Sequence, residues 1–370
     1  MFFPRGGSAT VARALARRLP ELGWDTTLLS GSIPDEGDAE QYYADLDVRP
    51  VHFGTDAPLH PSYEEPGVFA AVGDDELERH VEAWATQLEA AGAADADVLH
   101  LHHLTPINEA AARVAPDVPI VGHLHGTELL MLERIADGPP AGWAHADAWV
   151  ERMRAWAQAC ECLIVPSRLQ LPRVERLLGT GAAVLPNGVD LELFDRRVVD
   201  RPAETTVIFV GRFTAVKRIG LLIEAWAAAE PHFDVPASLA IVGGYPGEAE
   251  GEHPAEAIAR TGARHVHLAG WQPQERLPAF LNAADVLVLP SVREQFGLAI
   301  VEAMACGLPP IAVDVLGPKD IVEPGRTGWL VPPDDRDALA AAIIEAVNDP
   351  AERLARIFER AAERSLDRAA

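Results

Sequence analysis

The sequence predicts an α/β chain of two Rossmann-like domains facing across a cleft. Three observations carry this expectation. Short apolar runs alternate with stretches of helical periodicity, the pattern of parallel strands joined by crossover helices. The alternation runs through the chain twice, and one charged stretch, 191–205, interrupts it. At 370 residues the chain also exceeds what a single core usually organises. The expected domains are therefore 1–190 and 206–370, with 191–205 as the linker.

The elements follow in order. The first helix is expected over 8–22, where Val11, Ala12, Leu15, Ala16 and Leu19 recur at helical spacing and Ser8 can cap the start. Strand-like runs come next at 24–29, 48–53, 98–102, 120–125, 163–166 and 183–185. Helices are expected near 75–91, 105–115, 145–159 and 168–178. The region 32–74 is rich in Asp, Glu, Pro and Gly and reads as a mobile loop. The second series has strands at 206–210, 238–242, 265–270, 285–289 and 310–313. Its helices are expected at 217–229, 253–261, 274–283, 297–306 and 335–347.

Composition narrows the function. The content of 48% hydrophobic and 24% charged residues is ordinary for a soluble globular protein. No apolar run reaches the roughly 18 residues needed to span a bilayer, and no charged leader precedes an apolar stretch. Cys160, Cys162 and Cys306 are too few for a disulfide framework and read as thiols in a reducing cytosol, so a cytoplasmic protein is expected. The net charge of −25 argues against a nucleic-acid partner, which would need clustered Lys and Arg. Arg13, Arg17 and Arg18 are the one candidate basic face for a membrane, and they read as the solvated side of the first helix.

The chemistry concentrates around Glu294 and Glu302. Glu294 follows the apolar run 285–290, and Glu302 falls about one and a half turns into a helix that Gly297 opens. Two carboxylates and a helix start then sit at the carboxyl end of one strand, where open α/β sheets bind ligands. Carboxylates accept the paired hydroxyls of a ribose or hexose, and the helix start takes phosphate, so the inferred ligand is a nucleotide-activated sugar. Two Glu at arbitrary spacing are usually solvated charges. Glu302 differs because Ala299, Ile300, Val301, Ala303, Met304 and Ala305 surround it, and a charge among them is expensive unless paired.

Other strand ends add to this. In 207–217 a strand runs into Gly211 and Arg212 and then Lys217 at a helix start, giving backbone access and two cations for a diphosphate. Gly243, in the glycine-rich end of the next strand, can wall a nucleotide base or simply turn the chain. Trp271 reads equally as a stacking platform or a core residue. None of these loops matches G-x-G-x-x-G, which argues against a dinucleotide cofactor, and no cofactor is expected. In the first domain His125 ends a strand and is followed by Gly-Thr-Glu128, so it can bond a hexose hydroxyl or face developing charge. Glu128 reads as a support for His125 or a contact to the acceptor. His100, His102 and His103 invite a zinc reading, but no Cys or H-E-x-x-H spacing accompanies them, so no metal site is expected. Gly6 and Gly7 open the first helix and can offer amides to the acceptor or to a phosphate. The turn 186–190 reads as structural.

Taken in order, Gly6-Gly7, His125-Gly-Thr-Glu128, Pro186-Asn-Gly-Val-Asp190, Gly211-Arg212 with Lys217, and Glu294 with Glu302 resemble the retaining glycosyltransferases of family 4, which have the two-domain GT-B fold. The resemblance implies that Arg212 and Lys217 hold the donor diphosphate, Glu302 the ribose and Glu294 the transferred sugar. It also implies help from the amides of Phe296, Gly297 and Leu298, with His125 beside the reacting carbon. The implied reaction moves a hexose from a nucleoside diphosphate sugar to a hydroxyl acceptor, with no metal. A catalytically silent sugar-nucleotide-binding subunit, or a phosphorylase or epimerase of the same architecture, are the alternatives. The chain departs from the family at both ends. Residues 1–5 leave almost no room for the strand that precedes the Gly-Gly loop, and the chain ends at 365–370 before a helix that crosses back to the first domain.

Overall fold

The protein's structure, a computed structural model, describes residues 6–32, 39–52, 68–197, 199, 202, 204–244 and 250–349. The chain divides into two compact units, Met1–Pro186 and Asn187–Ala370.

The first unit begins with α1 (Gly6–Arg18), β1 (Leu28–Ser32), α2 (Ala39–Tyr42) and β2 (Val48–His52). It continues with α3 (Asp74–Ala90), β3 (Leu99–His102), α4 (Pro106–Val114), β4 (Ile120–His123) and α5 (Thr127–Ala136). The last elements are α6 (Ala146–Ala159), β5 (Cys162–Val165), α7 (Leu171–Leu178) and β6 (Ala183–Val184). Strands β3, β4, β5 and β6 form one parallel sheet in chain order, and β1 and β2 form a separate parallel pair. Each crossover helix buries one stripe. In α3, Leu77, Val81, Trp84 and Leu88 repeat at helical spacing and face the core. Pro106 and the Asn108 side chain, whose Oδ1 accepts from the Thr105 amide at 2.9 Å, fix the start of α4.

Several boundaries differ from the sequence expectation. The run expected as a strand from 24 enters the sheet only at Leu28, and Trp24 is exposed. Helix α5 was not foreseen, because Gly126 in a left-handed conformation opens it directly after the His125 motif. Of the expected mobile region 32–74, residues 33–38 and 53–67 lie outside the described residues, and so do 1–5, on which the expected lack of a first strand falls. Within that region Val68, Phe69, Ala70 and Val72 are buried in the core. On α1, Arg13 and Arg17 both pair with Asp45, at 2.6 and 2.5 Å, and Arg18 pairs with Glu21, so none of the three stands as a bare cation.

The second unit runs β7 (Thr205–Gly211), α8 (Ile219–Ala229), β8 (Ala237–Gly243), α9 (Pro254–Thr261), β9 (Val266–Gly270), α10 (Leu277–Ala283) and β10 (Val286–Leu289). It closes with α11 (Leu298–Ala305), β11 (Pro310–Val313), α12 (Leu316–Ile321), β12 (Trp329–Val331) and α13 (Arg336–Asn348). All pairings are parallel, in the order β12-β11-β10-β7-β8-β9, the doubly wound order of a Rossmann domain. The central strands β7 and β10 are continuous apolar runs buried on both faces, as helices on both sides require. The expectation stopped the sheet one strand early. Helix α12 and strand β12 have six and three residues, too short to leave a periodic signature. Part of the expected linker packs into this unit: Phe194 is buried in its core, and the Arg197 amide donates to Asn282 Oδ1 at 2.7 Å.

Candidate active site

The strand order of the second unit reverses between β7 and β10, and ligands of such sheets bind outside the carboxyl ends of the strands at that point. The loops leaving those two strands are tied together, the Val292 amide donating to the Val216 carbonyl at 3.0 Å. After β7 the chain passes Arg212 and a single 3-10 turn, Ala215–Lys217. After β10 it passes Glu294 and reaches Gly297, whose φ of 106° caps α11. The outcome is an ion pair: Lys217 Nζ lies 2.6 Å from Glu294 Oε2, with the two side chains 21% and 15% exposed. Arg212 is exposed at the same strand end.

Phe296 and Gly297 are buried, and Leu298 begins α11; the Ile300 amide donates to the Gly297 carbonyl at 2.9 Å, while the amides of Leu298 and Ala299 precede the first bonds of the helix. Glu302 is the fifth residue of α11, 9% exposed, with Gln274 Nε2 3.4 Å from its Oε1. Burial pushes its carboxyl up to about 7, against the opposing pull of the Gln274 hydrogen bond. Gly211 and Gly243 are register partners at the ends of β7 and β8, and a Cβ on Gly243 would lie 1.8 Å from the Gly211 carbonyl oxygen. That crowding, with a φ of 136°, explains the glycine at 243 without a ligand. Of the loop after it, 245–249 lies outside the described residues. Trp271 is 51% exposed and so is not a core residue.

Two residues of this site were not foreseen. Gln274 precedes a helix and carries no motif. Gly317 sits in α12, and its amide donates to the Glu294 carbonyl at 3.0 Å. A Cβ there would lie 2.2 Å from the Phe296 carbonyl oxygen, so α12 props the loop that presents Glu294. Gly317→Ala must push that loop aside. The expected results are a loss of about 1–3 kcal/mol in chemical denaturation and weakened nucleoside diphosphate binding in calorimetry.

In the first unit His102 of β3 and His123 of β4 are register partners, and period-two alternation places His100 on the same face. His125 follows two residues beyond β4. The four rings stack: His102 Nδ1 lies 2.9 Å from His125 Nε2, and His100 Nε2 lies 3.3 Å from His123 Nδ1. Burial, then the neighbouring imidazoles, hold His125 well below the usual histidine range and His123 at about 3. At neutral pH His125 is therefore an uncharged ring that can donate or accept one hydrogen bond. His103 has a φ of 68° and turns to Glu128, its Nδ1 2.8 Å from Oε1. Glu128 is fully buried and also accepts from the His125 amide at 3.2 Å, which makes it a support for His125. Burial raises the Glu128 carboxyl, but the electrostatic pull and hydrogen bond of the His103 ring and two backbone amides outweigh it and hold Glu128 below the usual range.

The remaining positions are simpler. Gly6 and Gly7 are the exposed first residues of α1. In the turn 186–190, Asp190 Oδ1 accepts from the amides of Glu192 and Leu193, a local structural role. Cys160, Cys162 and Cys306 are free thiols. Burial raises Cys160 to about 11, which leaves it unreactive at neutral pH.

With this geometry in hand, comparison with known proteins places the chain. Residues 5–193 match the model of glycosyltransferase family 4, and 193–364 match that of glycosyl transferases group 1. The chain belongs to glycosyltransferase family 4. A D-inositol 3-phosphate glycosyltransferase of Kribbella flavida is 32% identical over 280 residues, covering 70% of this chain and 64% of that protein. The α-D-kanosaminyltransferase of Streptomyces kanamyceticus is 31% identical over 255 residues, covering 63% of this chain and 62% of its own. The chain thus spans less than two thirds of either relative. Among solved structures, a sucrose-phosphate synthase from Thermosynechococcus elongatus superposes with a TM-score of 0.76 at 24% identity, covering 99% of this chain and 90% of its own. The Anabaena protein HepE in complex with UDP and glucose gives 0.71 at 20% identity, covering 99% and 92%. The fold is GT-B, with two Rossmann-like units.

Proposed function

We propose that this chain transfers a hexose from a nucleoside diphosphate sugar to a hydroxyl acceptor, with retention at the anomeric carbon. The observation that carries this reading is the Lys217–Glu294 pair at the point where the strand order reverses. The second unit binds the donor. Lys217 and Arg212 face the diphosphate, the first-turn amides of α11 add their dipole, Glu302 takes the ribose hydroxyls and Glu294 the hexose hydroxyls. UDP and glucose bound to HepE, a protein of the same fold, are in keeping with such a donor.

The first unit receives the acceptor, and His125 offers it a neutral hydrogen-bonding ring. The acceptor oxygen bonds to the anomeric carbon on the face from which the diphosphate departs. The bond from that carbon to the leaving phosphate oxygen breaks, and the phosphate takes the acceptor proton. Charge builds on the leaving diphosphate, where Lys217 and Arg212 stabilise it, a preorganised term of several kcal/mol, roughly 3–4 for one lost donor at an oxyanion site. Two cations at the diphosphate supply what a divalent ion supplies elsewhere, so the reaction runs without a metal there. Three free thiols accord with a reducing cytosol, and among the described residues no helix is long and apolar enough to cross a membrane.

The test is mass spectrometry of products from a panel of UDP-, GDP- and ADP-hexoses. The acceptor panel includes inositol 3-phosphate, the compound in the name of the Kribbella relative. One hexose added to an acceptor, with release of the nucleoside diphosphate, is expected. Release of a sugar 1-phosphate, an epimerised donor, or donor binding without turnover across the panel would each overturn the reading.

A further inference from the structure

The imidazole layer on β3 and β4 gathers three histidines on one face of the sheet. His100, His102 and His123 each present a ring nitrogen, and the three nitrogens lie within 4.8 Å of one another. The His100 Nε2 to His123 Nδ1 separation is 3.3 Å. Two nitrogens bound tetrahedrally to one zinc ion, at about 2.0–2.1 Å each, lie about 3.3–3.4 Å apart. A stack of neutral rings held by hydrogen bonds alone is the competing explanation. His123 Nε2 is buried without a hydrogen-bond partner among the described residues, and coordination through Nδ1 leaves it so.

We propose that His100, His102 and His123 form a binding site for one divalent transition-metal ion of the zinc class. Three neutral imidazoles select zinc, cobalt, nickel or copper over magnesium and calcium, which prefer oxygen. Three protein ligands leave a fourth position open to water. His102 also contacts His125, at 2.9 Å, so an ion on His102 fixes the orientation of that contact. Glu128, bonded to His103, brings one buried negative charge to the same cluster. The ion is separate from the donor chemistry proposed above, and the site stands or falls independently of it.

The sequence spacing hid this arrangement, because His123 comes from the neighbouring strand and no short motif spans the ligands. The test uses the full chain, untagged and stripped of metal, titrated with cobalt(II). One equivalent is expected to bind with the intense visible absorption of a tetrahedral site, to be displaced by zinc(II) and to be indifferent to magnesium(II). Zinc(II) at a hundredfold excess over its Kd is expected to raise the unfolding temperature by roughly 5–10 °C. His100→Ala is expected to lose the cobalt band while keeping its circular dichroism and its affinity for nucleoside diphosphates. No saturable one-equivalent binding by the unaltered chain, no zinc-dependent rise in unfolding temperature, or an unchanged cobalt band in a folded His100→Ala protein would each overturn the proposal.

Discussion

Lys217→Ala and Glu294→Ala are each expected to lower donor turnover by about 100- to 1,000-fold in kcat/KM, the loss typical of one preorganised charge-stabilising group. The two side chains meet at 2.6 Å and are only 21% and 15% exposed, so each shapes the other. On the proposed reaction, removing Lys217 takes a cation from the leaving diphosphate, and it leaves Glu294 without its counter-charge. Removing Glu294 takes the hydrogen-bond acceptor proposed for the hexose hydroxyls and lets Lys217 swing. Because each single change already disables the pair, the double variant is expected to lose far less than the product of the two single losses. Stability should fall by only about 1–2 kcal/mol, between the values for exposed and fully buried pairs. Steady-state kinetics on folded variants, with unfolding temperature measured beside them, separates the two effects. Near-normal turnover in both single variants contradicts the site.

Glu302→Gln should alter the pH dependence of stability in a direction fixed by the sign of its shift. The folded carboxyl titrates at about 7 against an ordinary 4.5, so the folded chain keeps the proton longer than the unfolded chain. The contribution of Glu302 is then most favourable at low pH and is lost as pH rises from the unfolded to the folded value. A shift of that size corresponds to roughly 3 kcal/mol. Between pH 5 and pH 8 the ligand-free wild-type chain should therefore lose about 2.5 kcal/mol more unfolding free energy than Glu302→Gln. A buried amide keeps the shape and the Gln274 contact but never ionises. Donor binding should move the opposite way: the ionised carboxylate accepts the ribose diol, so wild-type affinity rises with pH through 7 while the variant stays weak and flat. Denaturant titrations at the two pH values decide it, and parallel profiles for both proteins would remove Glu302 from this role.

Much of the second unit was legible because its strands are buried on both faces and read as unbroken apolar runs. Lys217 and Glu294, 77 residues apart, were expected to converge because each follows such a run, and the sheet order makes those two strands neighbours. What the sequence concealed was short or non-local. Strand β12 has three residues, α5 starts directly on a loop glycine, and Gly317 and Gln274 act through contacts that no periodicity encodes. Phe194 sits in a charged stretch that reads as a linker, yet its ring is buried in the second unit's core. The imidazole layer needed the β3–β4 register, because alternation along one strand says nothing about which residue stands opposite on the next.

Calorimetric titration of UDP, GDP and ADP onto the wild-type chain and Lys217→Ala tests most directly whether the ends of β7 and β10 hold an activated sugar. One nucleoside diphosphate should bind at a single site per wild-type chain, with the affinity lost or greatly weakened in the variant. Heat from none of the three nucleotides, or equal affinity in the two proteins, would place the donor elsewhere.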